Sequence, residues 1–198
     1  MQTKEIALFD FDGTLIQKDS FISFLIYDQG LLRFSAGIVA LLPLILLHYM
    51  GLFDNTALKS AFIRYFWKGR KYADLKEKGR IFALNEIQKI LRPEAIQRLQ
   101  WHQQQGHRII VISASFDLYI EEWCKYIGVE LICTKTEIKE GLITGNIDGT
   151  NCYGPEKANC IKSVINLEEY SVIHAYGDSK GDRELLALSH KAYFRKFE

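Results

Sequence analysis

Short apolar runs that stop abruptly at polar residues constrain the fold of this chain most strongly. Each run is apolar on both faces, which is typical of a strand buried inside a parallel sheet. Long segments with helical spacing separate the runs. The runs cover residues 6–9, 108–112 and 172–176, and the polar residues that follow their ends include Asp10, Ser113 and Asp178.

Alternating strands and helices predict an α/β chain with a doubly wound, mostly parallel sheet. In such a sheet, ligands bind beyond the carboxyl ends of the strands, so Asp10, Ser113 and Asp178 are expected to share one crevice. Further strands are predicted at 129–133 and 192–194, a hairpin at 137–144, and helices at 93–106, 118–127, 159–165 and 184–188.

The stretch from Gln17 to Ile90 has helical spacing and few strand signals. With 198 residues, the chain suits one core with a modest insertion. We therefore expect a core formed by residues 1–15 and 91–198, interrupted by a small helical insertion at 16–90.

The composition limits the classes of partner and site that the chain can be expected to have. The 25 basic and 24 acidic side chains nearly cancel, so no overall field attracts nucleic acid or anionic membranes. The four cysteines lack the close paired spacings of zinc or redox motifs, which favours reduced structural thiols. No leader pattern precedes the first strand at the N-terminus, so we expect a cytoplasmic protein.

An apolar segment at residues 34–53 qualifies that expectation. It has no acidic or strongly basic residue and is about long enough to span a bilayer. A single crossing would separate Asp10 from the rest of the predicted site, which argues against spanning. Two interpretations remain open: a membrane-surface contact, or a hydrophobic helical hairpin buried in the insertion or at a dimer contact.

The carboxylates at the strand ends suit phosphoryl transfer. A carboxylate attacks a phosphate monoester only when a cation neutralises the approach. Asp10 and Asp178 are expected to share one Mg²⁺, a hard cation that prefers oxygen ligands, and the Asp12 carbonyl can add a third ligand. Asp12 can protonate the leaving oxygen and later deprotonate water.

The phosphate itself needs donors around it. Gly13 allows close approach of the backbone, and Thr14 offers an amide and a hydroxyl. Ser113 and Lys157 are expected to donate to the phosphoryl oxygens. Asp182 is placed to orient Lys157 or a metal-bound water.

Four motifs, DFDGTL at 10–15, Ser113, Lys157 and GDSKGD at 177–182, resemble those of the haloacid dehalogenase superfamily. The helical insertion after the first motif is most similar to subfamily IB, which includes phosphoserine phosphatase. This resemblance implies a Rossmann-like core with a small helical cap and an aspartyl-phosphate on Asp10. It also implies that Asp12 acts as the general acid and base and that phosphate binds around Ser113, Ala114 and Lys157. The implied Mg²⁺ ligands are Asp10, Asp12 and Asp178.

Substrate selection is less defined. The Ser-Ala-Ser run 113–115 departs from the Ser-Gly-Gly often seen in phosphoserine phosphatases. Asp19 and Arg64 loosely match their substrate-binding cap residues. A helix cap is the structural alternative for Asp19, and a solvated helix face is the alternative for Arg64.

The expected function is hydrolysis of a small phosphate ester with Mg²⁺. The segment 36–53 also resembles the cap of phosphatidylglycerophosphate phosphatases, which makes a lipid phosphate the alternative substrate. Carbon–halogen hydrolysis needs no leaving-group acid, so Asp12 argues against it. A catalytically silent protein that binds a membrane or partner is the alternative of another class. The particular substrate and the oligomeric state stay open.

Overall fold

The computed structural model describes residues 4–197, and its centre is a six-stranded sheet. The strands are β1 (Glu5–Phe9), β2 (Arg108–Phe116), β3 (Glu130–Lys139), β4 (Leu142–Asp148), β5 (Val172–Gly177) and β6 (Lys191–Phe194). The helices are α1 (Ser20–Tyr49), α2 (Asn55–Phe66), α3 (Tyr72–Asn85), α4 (Pro93–Gln104), α5 (Asp117–Ile127), α6 (Pro155–Val164) and α7 (Arg183–Ala187), with short 3₁₀ turns at Ile87–Ile90, Leu167–Glu169 and Lys180–Asp182.

The strand order is β4-β3-β2-β1-β5-β6, and β1 lies in the middle between β2 and β5. All neighbouring strands are parallel except β3 and β4, which form an antiparallel hairpin. The predicted α/β class with a mostly parallel sheet is confirmed. Because β1, β2 and β5 run in the same direction, their carboxyl ends meet at one edge of the sheet.

The central strand is buried on both faces, as its continuous apolar sequence predicts. Ala7 and Phe9 face a large cluster that includes residues of α3, α4 and α5. Ile6 and Leu8 face a second cluster with residues of α6 and α7. This two-sided burial holds β1 firmly, so the residue after it, Asp10, starts from a fixed position.

The insertion between β1 and α4 is helical, as predicted. Asp19 caps α1 by accepting a hydrogen bond from the Ile22 amide at 2.8 Å, and Asp54 caps α2 in the same way through Ala57. The third helix, α3, packs along α5 of the core, and α2 packs against β4. Residues Phe21, Asn55 and Lys59 of the insertion lie around one pocket with Asp10 and Asp178, so the insertion covers the edge of the sheet at which the strands end.

The apolar part of α1 is largely exposed, so of the interpretations left open by the sequence the structure does not favour a hairpin buried within the insertion. At Gly30 the backbone adopts φ 74°, so α1 is two helical halves joined at a kink. In the second half Leu32 is 87% exposed and Val39 is 71% exposed, while Gly37 and Leu41 are buried. We call residues 31–53 the apolar arm. By length and composition α1 could cross a membrane, because an 18-residue window within it has a mean hydropathy of 2.1.

Two elements differ from the prediction in a way that affects the site. The second strand, β2, does not end at Ser113 but continues to Phe116 after a register shift against β3. Helix α6 begins at Pro155, not at Asn159, because a proline fits the first helical position. Lys157 therefore lies on the first turn of α6 and not on a loop.

Candidate active site

Asp10 lies directly beyond β1 and is 4% exposed. Its amide donates to the Tyr176 carbonyl at 2.9 Å, which extends the β1–β5 pairing by one residue. Its carboxylate accepts hydrogen bonds from the Thr14 hydroxyl at 3.0 Å and from the Lys157 ammonium. Burial raises the pKa of Asp10 to about 7, and the Lys157 cation opposes that rise.

Lys157 lies between two carboxylates, those of Asp10 and Asp182. All three side chains are almost completely buried. The two carboxylates raise the pKa of Lys157 although burial opposes the charged form, so the lysine remains a cation. Asp182 in turn accepts hydrogen bonds at its other oxygen from the amides of Asp178 and Ser179 and from the Ser179 hydroxyl.

Three carboxylates converge at this edge of the sheet. One oxygen from each of Asp10, Asp178 and Asp182 lies within 4.8 Å of the other two. Burial also raises the pKa of Asp178, and Asp182 adds to the effect by repulsion. Because Lys157, two amides and a hydroxyl already occupy Asp182, the oxygens of Asp10 and Asp178 are the better placed ligands for a cation.

Asp12 is held by two serines. Its Oδ1 accepts from the Ser20 amide at 2.6 Å, and its Oδ2 accepts from the Ser115 hydroxyl at 2.6 Å. The Ser20 hydroxyl donates to the Ser115 hydroxyl at 3.0 Å, which closes the network. Burial raises the pKa of Asp12 to about 6, with a further rise from Asp19, while the serine hydrogen bonds oppose it. A carboxyl group with this pKa exchanges protons readily near neutral pH.

A pocket of about 370 Å³ opens over these groups. Core residues form one wall, and the insertion supplies Phe21, Asn55 and Lys59 on the other. The Lys59 ammonium donates to the Ala114 carbonyl at 2.6 Å and to the Asn151 side chain at 3.2 Å. Burial lowers the pKa of Lys59 to about 8, although Asp12 and Asp19 favour its charged form.

Most of the residues predicted for the site do meet here. The residues that line the pocket are Asp10, Asp12, Gly13, Asp19, Ala114, Lys157 and Asp178. Behind them, the Thr14 hydroxyl donates to the Asp10 carboxylate, and the Asp182 carboxylate accepts from the Lys157 ammonium.

Two predicted residues are placed differently. Ser113 is fully buried below the pocket surface, and its hydroxyl accepts from the Ser115 amide at 3.0 Å. Arg64 does not line the pocket; its guanidinium donates to Asn146 at 2.6 Å on the exposed side of α2. The carboxylate of Asp19 caps α1, and it lines the pocket as well.

The sequence interpretation missed Lys59 and Ser115 as site residues. Lys59 belongs to the same helix as Arg64, and only Arg64 was considered there as a substrate-binding residue. Ser115 lies beyond the predicted end of β2 at Ser113. Lys59 and Arg64 are five residues apart and face directions about 140° apart on a helix, so the sequence alone does not decide which of them enters the pocket.

Comparison with known proteins identifies the family. A family model for haloacid dehalogenase-like hydrolases matches residues 7–187. Protein CicA of Caulobacter vibrioides is 33% identical over 196 residues, which cover 97% of this chain and 86% of that protein.

Two solved structures share the fold. A protein of unknown function from Bordetella pertussis superposes with a TM-score of 0.82 at 21% identity, over 95% of this chain and 88% of that one. A phosphoserine phosphatase structure described as a phospho-aspartyl intermediate analogue superposes with a TM-score of 0.62 at 18% identity, over 95% of this chain and 84% of that one. The family predicted from the four motifs is therefore confirmed, and the chain belongs to the haloacid dehalogenase-like hydrolases.

Proposed function

We propose that this protein is a magnesium-dependent phosphatase that forms an aspartyl-phosphate on Asp10. The observation that carries the proposal is the convergence of Asp10, Asp178 and Asp182 within 4.8 Å, with the Lys157 ammonium against Asp10. A pocket of about 370 Å³ suits a small phosphate ester. The fold shared with a phosphoserine phosphatase supports the same chemistry.

The donor set fits magnesium. Asp10 and Asp178 offer carboxylate oxygens, and the main-chain carbonyl of Asp12 is the proposed third protein ligand. A bound Mg²⁺ supplies charge neutralisation between the phosphate and the attacking carboxylate. It also favours the ionised form of Asp10, whose pKa burial would otherwise keep near 7.

Two carboxyl groups then divide the chemistry. Asp10 attacks phosphorus, the ester oxygen leaves, and Asp12 gives its proton to that oxygen. Asp12, now ionised, takes a proton from water, which attacks the phosphoryl group and frees Asp10. The raised pKa of Asp12, about 6, supports both directions of transfer near neutral pH.

Phosphate binding is assigned to the groups around Asp10. The backbone at Gly13, Thr14 and Ala114 approaches the phosphoryl oxygens, and Lys157 provides a cation. Ser113 supports this wall from below, through its contact with the Ser115 amide. Removing a single preorganised donor of this kind costs roughly 3 to 4 kcal/mol of transition-state stabilisation.

Residues 16–90 are proposed to act as a cap domain on a core made of residues 1–15 and 91–198, of which residues 1–3 and 198 lie outside the described part. Within the cap, Lys59 replaces Arg64 as the proposed substrate-binding cation. An ammonium buried in the pocket wall suits a second anionic group on the substrate. Asp19 lies on the same wall and would favour a nearby positive group.

Hydrolysis of an aryl phosphate by the purified chain tests the proposal. We expect activity with Mg²⁺, loss of activity in excess chelator, and loss in Asp10→Asn. Asp74→Asn, which changes an exposed carboxylate on α3, is the matched control and should retain full activity. Chelator-resistant activity, or an active Asp10→Asn variant, would contradict the proposal.

A lipid phosphate is the second candidate substrate, and the exposure of the apolar arm favours it. Soluble proteins seldom leave large apolar patches exposed without a purpose. The arm ends at Asp54, which caps α2, and the next residue, Asn55, lines the catalytic pocket. A membrane that receives the arm would therefore lie beside the pocket, and the proposed location becomes the cytoplasmic membrane surface.

Vesicle co-sedimentation separates the two substrates. We expect the wild-type chain to bind anionic phospholipid vesicles if the lipid candidate holds, and a triple variant with Leu42, Leu46 and Leu47 changed to Ser to bind much less. Tyr126, Val164 and Phe194 changed to Ser is the matched control, because these side chains are also exposed but lie outside the arm.

A dimer that buries the arm, seen in solution without vesicle binding, would overturn the lipid candidate. Turnover of soluble phosphate esters alone in a panel that includes phosphoserine and a phosphatidylglycerophosphate in detergent would do the same. A chain that binds vesicles and hydrolyses no phosphate ester would instead support the silent binding protein.

A further inference from the structure

Three histidines form a buried cluster at the end of the sheet opposite the active site. His174 is the third residue of β5, His102 lies on α4, and His107 lies just before β2. Glu5, the first residue of β1, joins them. Glu5 and Asp10 are five residues apart on an extended strand, so this cluster lies roughly 16 Å from the catalytic carboxylates.

The ring nitrogens of these histidines converge. One nitrogen from each of the three rings lies within 4.8 Å of the other two. His102 Nδ1 and His107 Nδ1 are 2.8 Å apart. Nitrogen ligands about 2.05 Å from a tetrahedral Zn²⁺ lie about 3.3 Å from one another, so binding requires these two rings to separate by only about half an ångström.

The outer nitrogens of the three rings already have polar neighbours. His102 Nε2 lies 2.9 Å from the Tyr176 hydroxyl. His174 Nε2 lies 2.9 Å from Glu5 Oε2, and His107 Nε2 lies 3.5 Å from the same oxygen. Histidines that bind metals usually donate their second N–H to a carboxylate or a similar acceptor, which fixes the tautomer. With Nε2 protonated, each ring keeps an unprotonated Nδ1.

A purely hydrogen-bonded cluster leaves a buried nitrogen unsatisfied. His174 is 1% exposed, and its Nδ1 has no hydrogen-bond partner within residues 4–197. Buried polar atoms without partners are uncommon and call for a ligand or a water. If both Nε2 atoms of His102 and His107 are protonated, their Nδ1 atoms face each other as two acceptors, and that contact also requires a cation.

We propose that the Nδ1 atoms of His102, His107 and His174 bind a transition-metal ion of the Zn²⁺ class, with Glu5 and Tyr176 as their outer hydrogen-bond partners. Three imidazoles suit zinc, cobalt, nickel or copper, whereas the oxygen-only catalytic site suits magnesium. A solvent ligand completes the tetrahedron. The ion ties α4 to β5 and to the starts of β1 and β2.

The protonation states of the cluster agree with this site. Burial lowers the pKa of His102 to about 3 and also lowers the pKa of His174, so both rings are neutral ligands at pH 7. The neighbouring cations Arg98 and Lys191 oppose a bound cation, and the Glu5 carboxylate offsets them. The His107 side chain is 12% exposed and that of Glu5 is 23% exposed, which gives an ion a route inward.

The test is a titration of chelator-stripped protein with ZnCl₂ or CoCl₂ in excess Mg²⁺, followed by calorimetry and by the visible absorption of tetrahedral Co²⁺. We expect one equivalent to bind, and to bind equally in Asp178→Asn, which removes a catalytic carboxylate. His107→Gln should weaken binding at least tenfold and abolish the Co²⁺ spectrum. His48→Gln, a histidine on α1, is the matched control and should bind as the wild type does.

The melting temperature supplies a readout independent of activity. Zn²⁺ should raise it in the wild type and in His48→Gln and leave it unchanged in His107→Gln, because a ligand that binds only the folded state stabilises that state. If His107→Gln does not fold, Glu5→Gln replaces it, and weaker Zn²⁺ binding is expected because two rings lose their anionic acceptor. Stoichiometric binding that is lost in Asp178→Asn, equal affinity in all cluster variants, or no binding at all would overturn the proposal.

Discussion

Gly13 and Asp178 approach each other so closely that a Cβ atom on Gly13 would lie 2.4 Å from Asp178 Oδ2. Gly13 also has φ +79°, a conformation that other residues rarely adopt. Arg92 donates to the Gly13 carbonyl at 3.0 Å and fixes the turn from behind. The glycine therefore sets the distance between the loop after β1 and the loop after β5, from which the two proposed magnesium ligands come.

Gly13→Ala should separate these loops. The new methyl group must push Asp178 away from Asp10, and a displacement of about 1 Å in a catalytic site can cost about a hundredfold in rate. We expect kcat/KM to fall roughly a hundredfold and the Mg²⁺ concentration for half-maximal activity to rise. Gly149→Ala is the control, because that glycine also has positive φ but has open space around it. Equal effects of the two changes would show that backbone strain alone is responsible.

Ser115→Ala should change the acidity of Asp12. The Ser115 hydroxyl stabilises the ionised carboxylate, so its loss raises the pKa of Asp12 above about 6. The rate of phosphoenzyme breakdown depends on ionised Asp12, and its rise with pH should therefore shift to higher pH. Rapid-quench measurement of dephosphorylation from pH 5 to 8 checks this. Ser163→Ala, an exposed serine on α6, should leave the profile unchanged.

The lowered pKa of Lys59 predicts that KM depends on pH. Its lowered pKa, about 8, means that the ammonium loses its proton as the pH rises through 8. For a substrate with a second anionic group, we expect KM to rise roughly tenfold or more above that pH, since a charge-assisted hydrogen bond contributes about 1.5 to 3 kcal/mol.

Lys59→Arg keeps its charge across this range and is the informative comparison. If it retains binding, its KM should stay flat with pH. A phosphate ester that lacks a second charge should show a flat KM with the wild type as well. A KM for the dianionic substrate that stays constant in wild type through pH 9 would remove Lys59 from substrate recognition.

Lys157→Met should destabilise the fold as well as inactivate the site. The change leaves Asp10 and Asp182 buried without their cation, and breaking a buried pair in this way costs about 3–5 kcal/mol. Without Lys157 the pKa of Asp10 rises further, and a folded-state pKa above the unfolded value favours the folded state as pH falls. The loss of unfolding free energy in Lys157→Met should therefore be smaller at pH 5 than at pH 7.

Urea unfolding at the two pH values measures this deficit. Lys162→Met, an exposed lysine on the same helix, should have little effect at either pH. A deficit in Lys157→Met that grows as the pH falls would contradict the assignment of the buried pair.

The sequence predicted the fold, and it predicted that most of the candidate site residues meet at one edge of the sheet, for an identifiable reason. Parallel strands place their carboxyl ends at one edge, so Asp10 and Asp178 had to meet once the strands were recognised. Positions that depend on packing were less predictable. Helix α2 carries Lys59 and Arg64 on faces about 140° apart, and only its docking on the core decides that Lys59 enters the pocket while Arg64 binds Asn146.

The apolar arm shows a second limit of the sequence. Its composition suits a buried hairpin, a membrane contact or a dimer contact equally well, because burial depends on the neighbours that a helix meets. In the structure only one face meets α2, through positions such as Gly37 and Leu41. The His102–His107–His174 cluster was equally hidden, since its members come from three elements that only the sheet brings together.

Covalent phosphorylation of Asp10 tests the central claim most directly. Asp12→Asn lacks the base for phosphoenzyme breakdown, so incubation with Mg²⁺ and an aryl phosphate followed by acid quench should trap the phosphoryl group. Mass spectrometry of the peptide around Asp10 should then show one added phosphate, with none in the Asp10→Asn/Asp12→Asn double variant. The account would be contradicted if the wild-type chain hydrolyses the ester and no phosphate can be recovered on Asp10 in either the wild type or Asp12→Asn.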